Sequence, residues 1–568
     1  MLLKFFKKIN SQAQSVTSAA IIIGGLSVVS RLFGILRDRI LAGTFGAGDE
    51  LDIYYAAFRL PDTVYNLLIL GSVSAGLIPV FTSLIAKHKK EEAWNLINNI
   101  LNILSLILVT TCLLLFLLSP WLIPLITPGF AQEKLSIVVN MSQIMFLSSF
   151  FLGLSAIFSS ILQSFRKFFL YSLAPIFYNL GIIIGVLYLT KPFGIYGLAW
   201  GVVLGALMHM TIQLLPIFSV GFRYQPILNF WDKNVIKVTL MTLPRTLSLA
   251  ISQINFFIIT IVASTLATGS FAIFNLSNNL QNFPLGVFGV SFGVAALPIL
   301  SSLAAENKMK DFINTFSVTF RQTIFFILPA SALLYVLRAQ IVRVILGFGN
   351  FDWRDTRLTA ACLAIFCLGL FAQSTYPLVI RTFYALHNTK TPFFVGLITL
   401  IVNFISLIFL VWLFSFDNFF SFLTIAILRL EDLWGVVDLR VLALPSAIVI
   451  SSIFELMILL IILKIKIGKI DGIKIIQSSL RIIFASLGAG LFTYATLQLL
   501  DLLVITNKVW GIFTQGLVAG LIGCLGYLIL SLLLQVEEMK IFIASIKRKL
   551  FKSAIIIAEN NLGESEKN

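Results

Sequence analysis

Three histidines and four cysteines are all that 568 residues offer as soft metal ligands and thiols. His88, His209 and His387 are scattered, with no HExxH pair and no carboxylate at ligand spacing, so a metal centre is not expected. Cys112, Cys362, Cys367 and Cys524 all fall in apolar runs and form no CxxC. They read as small hydrophobes, which excludes a disulfide framework or a zinc site. G-x-S-x-G, Walker and DxD motifs are also missing, so neither a serine hydrolase nor a nucleotide-driven enzyme is indicated. The chain is read as a protein without catalytic activity or cofactor. Charge is scarce too: 12% of residues are charged and 58% hydrophobic. A soluble chain has about 25% and about 45–50% respectively, so a soluble multidomain protein is excluded. Alternating strands of about 10 residues are absent, which excludes a β-barrel.

What is present instead is a succession of apolar runs, each long enough for a bilayer core of about 30 Å. Fourteen spans can be drawn, from 17–44 to 509–535. The fold class is all-α, polytopic and membrane-embedded. The expected organisation is a short tail (1–16), a first lobe of six spans (17–218), a second lobe of six (238–464), a final pair (479–535) and a basic tail (536–568). The N-terminus is basic and lacks a small-residue cleavage site, so it reads as a retained tail and not a signal peptide.

The net charge of +16 would suggest nucleic acid in a soluble protein. Here the basic residues sit in short loops and no recognition module is present, so nucleic acid is not expected. With the N-terminus in the cytoplasm, 26 Lys and Arg fall in cytoplasmic segments and nine on the opposite side. That bias sets both termini in the cytoplasm.

An internal repeat supports the two lobes. "GLIPVFTSLIA" resembles "AALPILSSLAA", with Pro79 and Pro298 offset by 219 residues. Gly48 and Gly269 are 221 apart, and Pro175 and Pro392 are 217 apart. Six spans per half makes the repeats parallel, and transporters commonly bind substrate between such halves. The segment Phe416–Leu439 is longer than its counterpart and is expected on the outer surface.

The first span contains "SRLFGILRDRI", with Arg31, Arg37, Asp38 and Arg39. Each such charge at mid-membrane costs about 2.5–3.5 kcal/mol, so it must pair, reach an interface or face a wet cavity. Arg31 and Asp38, seven apart, share a helical face, Arg37 lies on another, and Arg39 stands nearer the polar end, where it can snorkel. Asp52 and Arg59 repeat the seven-residue spacing in the second span, where Pro61 kinks the helix. One reading pairs these charges structurally between the two spans. The other makes them a cationic site for an anionic substrate, phosphate above all, because the guanidinium fork can donate two hydrogen bonds to it. The equivalent region of the second half carries Ser and Gln, so such a site would be lopsided. Arg245 is either an interface anchor or a further phosphate contact. Glu455, alone in span twelve, is either a coupling residue or a satisfied polar contact. The glycines of spans five and six read as close helix packing.

The stretch "SRLFGILRDRILAGTFGAGDELDIYYAAFRLPD", followed by "GLIPVF", "NFPLGVFGVSFGVAALPILS", "LGFGNFDWRDT" and "RTFYALHNTKTP", resembles the MurJ/MviN family of bacterial lipid II flippases. The resemblance implies two six-helix lobes around a central cationic cavity and a lipid-facing groove that includes spans thirteen and fourteen. The cavity would take the pyrophosphate-sugar head group of an undecaprenyl-linked precursor while its tail stays in the lipid. By motif match, Arg31, Arg37, Asp52 and Arg59 are the expected substrate-binding residues, with Asp38, Arg245 and Asn279 as accessories. The family often has further arginines where Tyr65, Asn66, Asn279 and Asn282 stand here, so its ring of arginines is reduced. The implied function is lipid II flipping by alternating access across the inner membrane. Implied partners are membrane lipids and the cell-wall synthesis machinery, with the chain working as a monomer. The alternatives are a flippase for another polyprenyl-pyrophosphate-linked oligosaccharide and an ion-coupled drug exporter of the same superfamily.

Overall fold

The structure, a computed structural model, describes residues 16–70, 76–433, 435, 437–468, 471–503 and 508–544. Most of the N-terminal tail and residues 545–568 of the basic C-terminal tail lie outside the described residues. Among the described residues the regular structure is helical throughout, without strands.

Eleven helices are long and apolar enough to cross a bilayer, from Lys90–Ile126 to Val509–Leu533. They coincide with eleven of the fourteen expected spans. The other three are helical as well: Val16–Phe45, the broken span that begins with Asp49–Ala57, and Lys233–Ser264, whose apolar part is Leu249–Ser264. Along the apolar helices exposed leucine, isoleucine and phenylalanine side chains cover the outside, as expected where the solvent is lipid.

The internal repeat is visible in the backbone. Tight turns join consecutive helices after Ala86, Ser164, Ala305 and Ala385. Each turn holds one residue in the left-handed region: His88 (φ 60°), Arg166 (φ 56°), Asn307 (φ 56°) and His387 (φ 54°). His88 and Asn307 are 219 residues apart and Arg166 and His387 are 221 apart, the offsets seen in the sequence. A left-handed non-glycine residue is costly, so its recurrence marks a shared turn design. Wider π-type turns interrupt the second span at Tyr65–Leu70 and the eighth at Leu285–Val290, again 220 residues apart. Such bulges free backbone groups and are common at functional sites. His88 and His387 are therefore turn residues.

The chain divides into two compact units. The first comprises residues up to Ser277, Ile345–Cys362 and Asn403–Leu444. The second comprises Asn278–Val344, Leu363–Val402 and the chain from Pro445 onward. This division differs from the lobes drawn from the sequence: all of span seven and one end of spans eight, nine, ten, eleven and twelve cluster with the first six. Inside the first unit, spans five and six pack backbone to backbone. A Cβ on Gly181 would lie 2.2 Å from Gly205 Cα, and one on Gly185 would lie 2.4 Å from Gly201 Cα, so only glycine permits this approach.

The second unit has a phenylalanine-rich core, with Phe312, Phe316, Phe325 and Phe383 fully buried. The last two spans join it through Tyr527, whose hydroxyl donates to Phe325 O at 2.7 Å. Beyond them, Glu537 and Glu538 both accept from buried Arg321 Nη1, at 2.7 and 2.5 Å, and Ser478 donates to Glu538 at 2.7 Å. Glu455, the lone carboxyl of span twelve, is hydrogen-bonded to Tyr376 of the same unit.

Candidate functional site

Arg37 with Asp38, Arg59 and Asp52 form three nodes, all in the first unit. The first centres on Arg37, half-buried in the helix Val16–Phe45. Its Nε and Nη2 donate to Asp38 Oδ1 at 2.9 and 2.7 Å, and its Nη1 donates to Asn179 Oδ1 at 3.0 Å. Asn179 is held in turn by a bond from its Nδ2 to Pro175 O at 3.0 Å. Tyr54, Tyr55 and Tyr178 stand within electrostatic reach of the guanidinium. Asp38, expected to share a face with Arg31, thus pairs with its immediate neighbour. Adjacent side chains on a helix point about 100° apart, and the length of arginine closes that gap. Arg31 is half-buried two turns earlier on the same helix.

The second node is Arg59, just past the junction at Phe58 between the helices Asp49–Ala57 and Arg59–Val64. Its guanidinium lies 5.2 Å from the ring of Phe256 and 5.0 Å from that of Phe271. Nη2 donates to Asn275 Oδ1 at 3.1 Å, while the buried Nε has no acceptor. The partners that hold this cation are an amide and two aromatic faces. They orient it without themselves cancelling its charge, and Asp62, three residues on, stands within electrostatic reach of it; cation–π contact strengthens as water is removed.

The third node is Asp52, 3% exposed. Its Oδ2 accepts from Gly269 N at 2.8 Å and its Oδ1 from Ala272 N at 2.9 Å. Those N–H groups open the helix that starts at Ser270, so the carboxylate caps a helix dipole from another span. Lys134 Nζ lies 3.5 Å from Asp52 and 2.6 Å from Asp49. Gly269 adopts φ 85°, and a Cβ there would lie 1.9 Å from Ala47 O, so glycine is required at this seam. Expected among the substrate-binding residues, Asp52 has both oxygens committed to backbone; it positions helices here. Arg39, expected to snorkel, donates to Ile345 O at 3.1 Å and lies 5.3 Å from the Phe348 ring.

Arg245 has its side chain outside the described residues. Asn279 is half-buried and belongs to the second unit. The partners Asn179, Asn275, Phe256 and Phe271 escaped the sequence reading because nothing distinguishes an amide or a phenylalanine in one apolar helix from the rest. Lys134 was counted there only as a loop charge. Among the described residues no group of His, Cys, Asp or Glu could hold a metal ion. What the arrangement offers is guanidinium N–H donors fixed inside apolar helices, chemistry suited to an anion.

A family model described as lipid II flippase MurJ matches residues 41–514. The chain belongs to the MurJ family. A probable lipid II flippase MurJ of Rhizobium tropici is 29% identical over 402 residues, 68% of this chain and 74% of that protein. One from Vibrio cholerae is 28% identical over 410 residues, 70% of this chain and 78% of that protein. A solved structure of lipid II flippase MurJ in an inward closed conformation is 26% identical, with a TM-score of 0.69, and covers 90% of this chain and 98% of that one. An inward-facing multidrug MATE transporter of the MOP superfamily has a TM-score of 0.61 at 13% identity, covering 80% of this chain and 99% of that one. That likeness is one of fold. Membership in the MurJ family makes the chain a multi-pass bacterial membrane protein, and it places the Arg37 and Arg59 nodes in a family of transporters.

Proposed function

We propose that this protein flips lipid II, carrying the pyrophosphate-sugar head group across the cytoplasmic membrane by alternating access while the polyprenyl tail stays in lipid. A charged, hydrated head group cannot cross hydrocarbon unaided, and a carrier for it needs cationic donors at bilayer depth. What supports the reading is Arg59, held by Asn275, Phe256 and Phe271, with Asp62 within electrostatic reach but no carboxylate in ion-pair contact among the described residues. Arg37 adds a second guanidinium, only partly offset by Asp38. We assign Arg31, Arg37 and Arg59 to the diphosphate. Asp52 belongs to the same site as the residue that holds the second span against the helix at Ser270, and Asp38 as the one that orients Arg37. The distribution of Lys and Arg supports both termini in the cytoplasm.

The test is complementation of a bacterium depleted of its own lipid II flippase, reading accumulated lipid II. Wild type is expected to clear the accumulated precursor. Arg37→Ala and Arg59→Ala are expected to fail at normal protein level. Failure by well-expressed wild type overturns lipid II as the substrate. Loss of the folded protein in both variants would instead make these arginines structural pairs.

A further inference from the structure

The longest connection between two spans has a feature that transport does not use. Between Lys390–Leu413 and the helix that begins at Ala443 stands a separate ten-residue helix, Phe419–Leu428, of sequence FFSFLTIAIL. At about 1.5 Å per residue it is about 15 Å long, half of what a bilayer core requires. Ser421, Ile425 and Leu428, at helical spacing, are buried against the first unit. The opposite side is apolar too: Phe419 is 78% exposed and Phe422 and Ile427 are 55% exposed. A helix lying in water turns polar residues outward, and this one turns phenylalanine.

Both ends are closed by the chain itself. Asn418 Oδ1 accepts from Ser421 N at 2.8 Å, and Asn418 N donates to Ser421 Oγ at 2.9 Å. At the other end Arg429 turns left-handed, and Leu430 N donates to Ile425 O at 2.9 Å. Backbone groups satisfied in this way can enter a medium without water. Exposed Asp417 stands just before the helix, and two of the carboxylates on the far flank are fixed to protein. Arg357 donates to Asp432 at 2.8 Å, and Asp438 accepts from Ala267 N at 3.0 Å. On the near flank an aromatic run, Phe409, Trp412 and Phe416 with rings 6.0 and 5.5 Å apart, continues the lipid-facing side of the preceding span. Tryptophan in that position is usual at the membrane–water boundary.

We propose that Phe419–Leu428 lies in the plane of the outer leaflet and binds the lipid surface, with Phe419, Phe422 and Ile427 inserted among the acyl chains. Its occupant is phospholipid. By holding this helix at a fixed depth, the leaflet also fixes the segment whose carboxylates meet Arg357 and Ala267.

The experiment uses the full chain in vesicles of phosphatidylethanolamine and phosphatidylglycerol. Phe422 is replaced by photoreactive p-benzoylphenylalanine, a close analogue that preserves packing. Parallel samples carry it at Ile408, on the lipid-facing span, and at Glu431, on the polar flank. Mass spectrometry then reads phospholipid adducts. Adducts at Phe422 are expected to match those at Ile408 and to exceed those at Glu431 several-fold. Adducts at Phe422 no more frequent than at Glu431 would overturn the proposal. A dominant adduct to another protein, in the same experiment in cells, would overturn it in favour of a protein partner. Lipid II takes no part in the readout, so the result is independent of the transported substrate.

Discussion

Arg321 and Arg59 are both arginines lodged among helices of a membrane protein, and their surroundings are opposite. Arg321 meets two carboxylates, Glu537 and Glu538, the second of which also accepts from Ser478. Arg59 meets one amide and two aromatic rings; the buried Nε has no acceptor in either arginine. The first cluster is electrostatically closed: it ties the segment after the last span to the rest of its unit, and a further anion would be repelled. The second is more open, since amide and ring hold the guanidinium directly and Asp62, within electrostatic reach, makes no ion-pair contact with it. Whether an arginine serves architecture or an anionic substrate is thus decided by what neutralises it, not by its depth.

The strongest way to break this comparison is Arg321→Ala. Removing one partner of a buried cluster leaves Glu538 buried and uncompensated, at a cost of about 3–5 kcal/mol. It should appear as a large fall in thermal stability in detergent; unchanged stability would erase the contrast. Next comes Arg59→Ala, expected to leave stability nearly intact. It should lower lipid II flipping in vesicles about 10- to 100-fold, the worth of one charge-assisted hydrogen bond of about 1.5–3 kcal/mol. A comparable loss of stability in both variants would make Arg59 structural too.

Arg59→Lys sharpens the point. It keeps the charge but gives up the planar fork and its stacking, so flipping should fall several-fold and less than with alanine. Equal loss in the two variants would mean that shape, not charge, is what the site requires.

The smallest effect is one of pH. The hydrogen bond from Arg321 holds the Glu537 carboxyl below its ordinary value of 4.5. A carboxylate lowered by folding contributes stability above its unfolded pKa and loses that contribution as pH falls through the folded one. Acidification from neutral to below about 4.5 should therefore lower the melting temperature slightly more in wild type than in Glu537→Gln. Identical acid profiles would remove Glu537 from the closed cluster.

Much of the architecture was legible because its causes are local. A run of apolar residues is a span wherever it occurs, and the duplication appears as the left-handed turns at His88, Asn307, Arg166 and His387. The misfit of Arg31, Arg37 and Arg59 in apolar surroundings also needs no structure to be seen. Their partners were not legible. Asn179 lies 142 residues from Arg37 and Asn275 lies 216 from Arg59, and one amide in an apolar helix looks like another. Asp52 is the instructive case. Its position suggested a cavity, but only the neighbouring backbone reveals two N–H groups that occupy both oxygens.

By itself, then, the sequence determined that the chain is helical and membrane-embedded, that it is duplicated, and that its anomalous charges cluster in the first two spans. Hydrophobic length, loop charge and turn chemistry act within a few residues and do not wait for packing. The tertiary structure decided which charges are cancelled: Arg37 in part by Asp38, Arg321 by two glutamates, Arg59 by none of its hydrogen-bond partners. Hydrogen-bonded contact is made within a few ångströms, and only folding brings residues as far apart in sequence as Arg321 and Glu537, or Arg59 and Asn275, within that range.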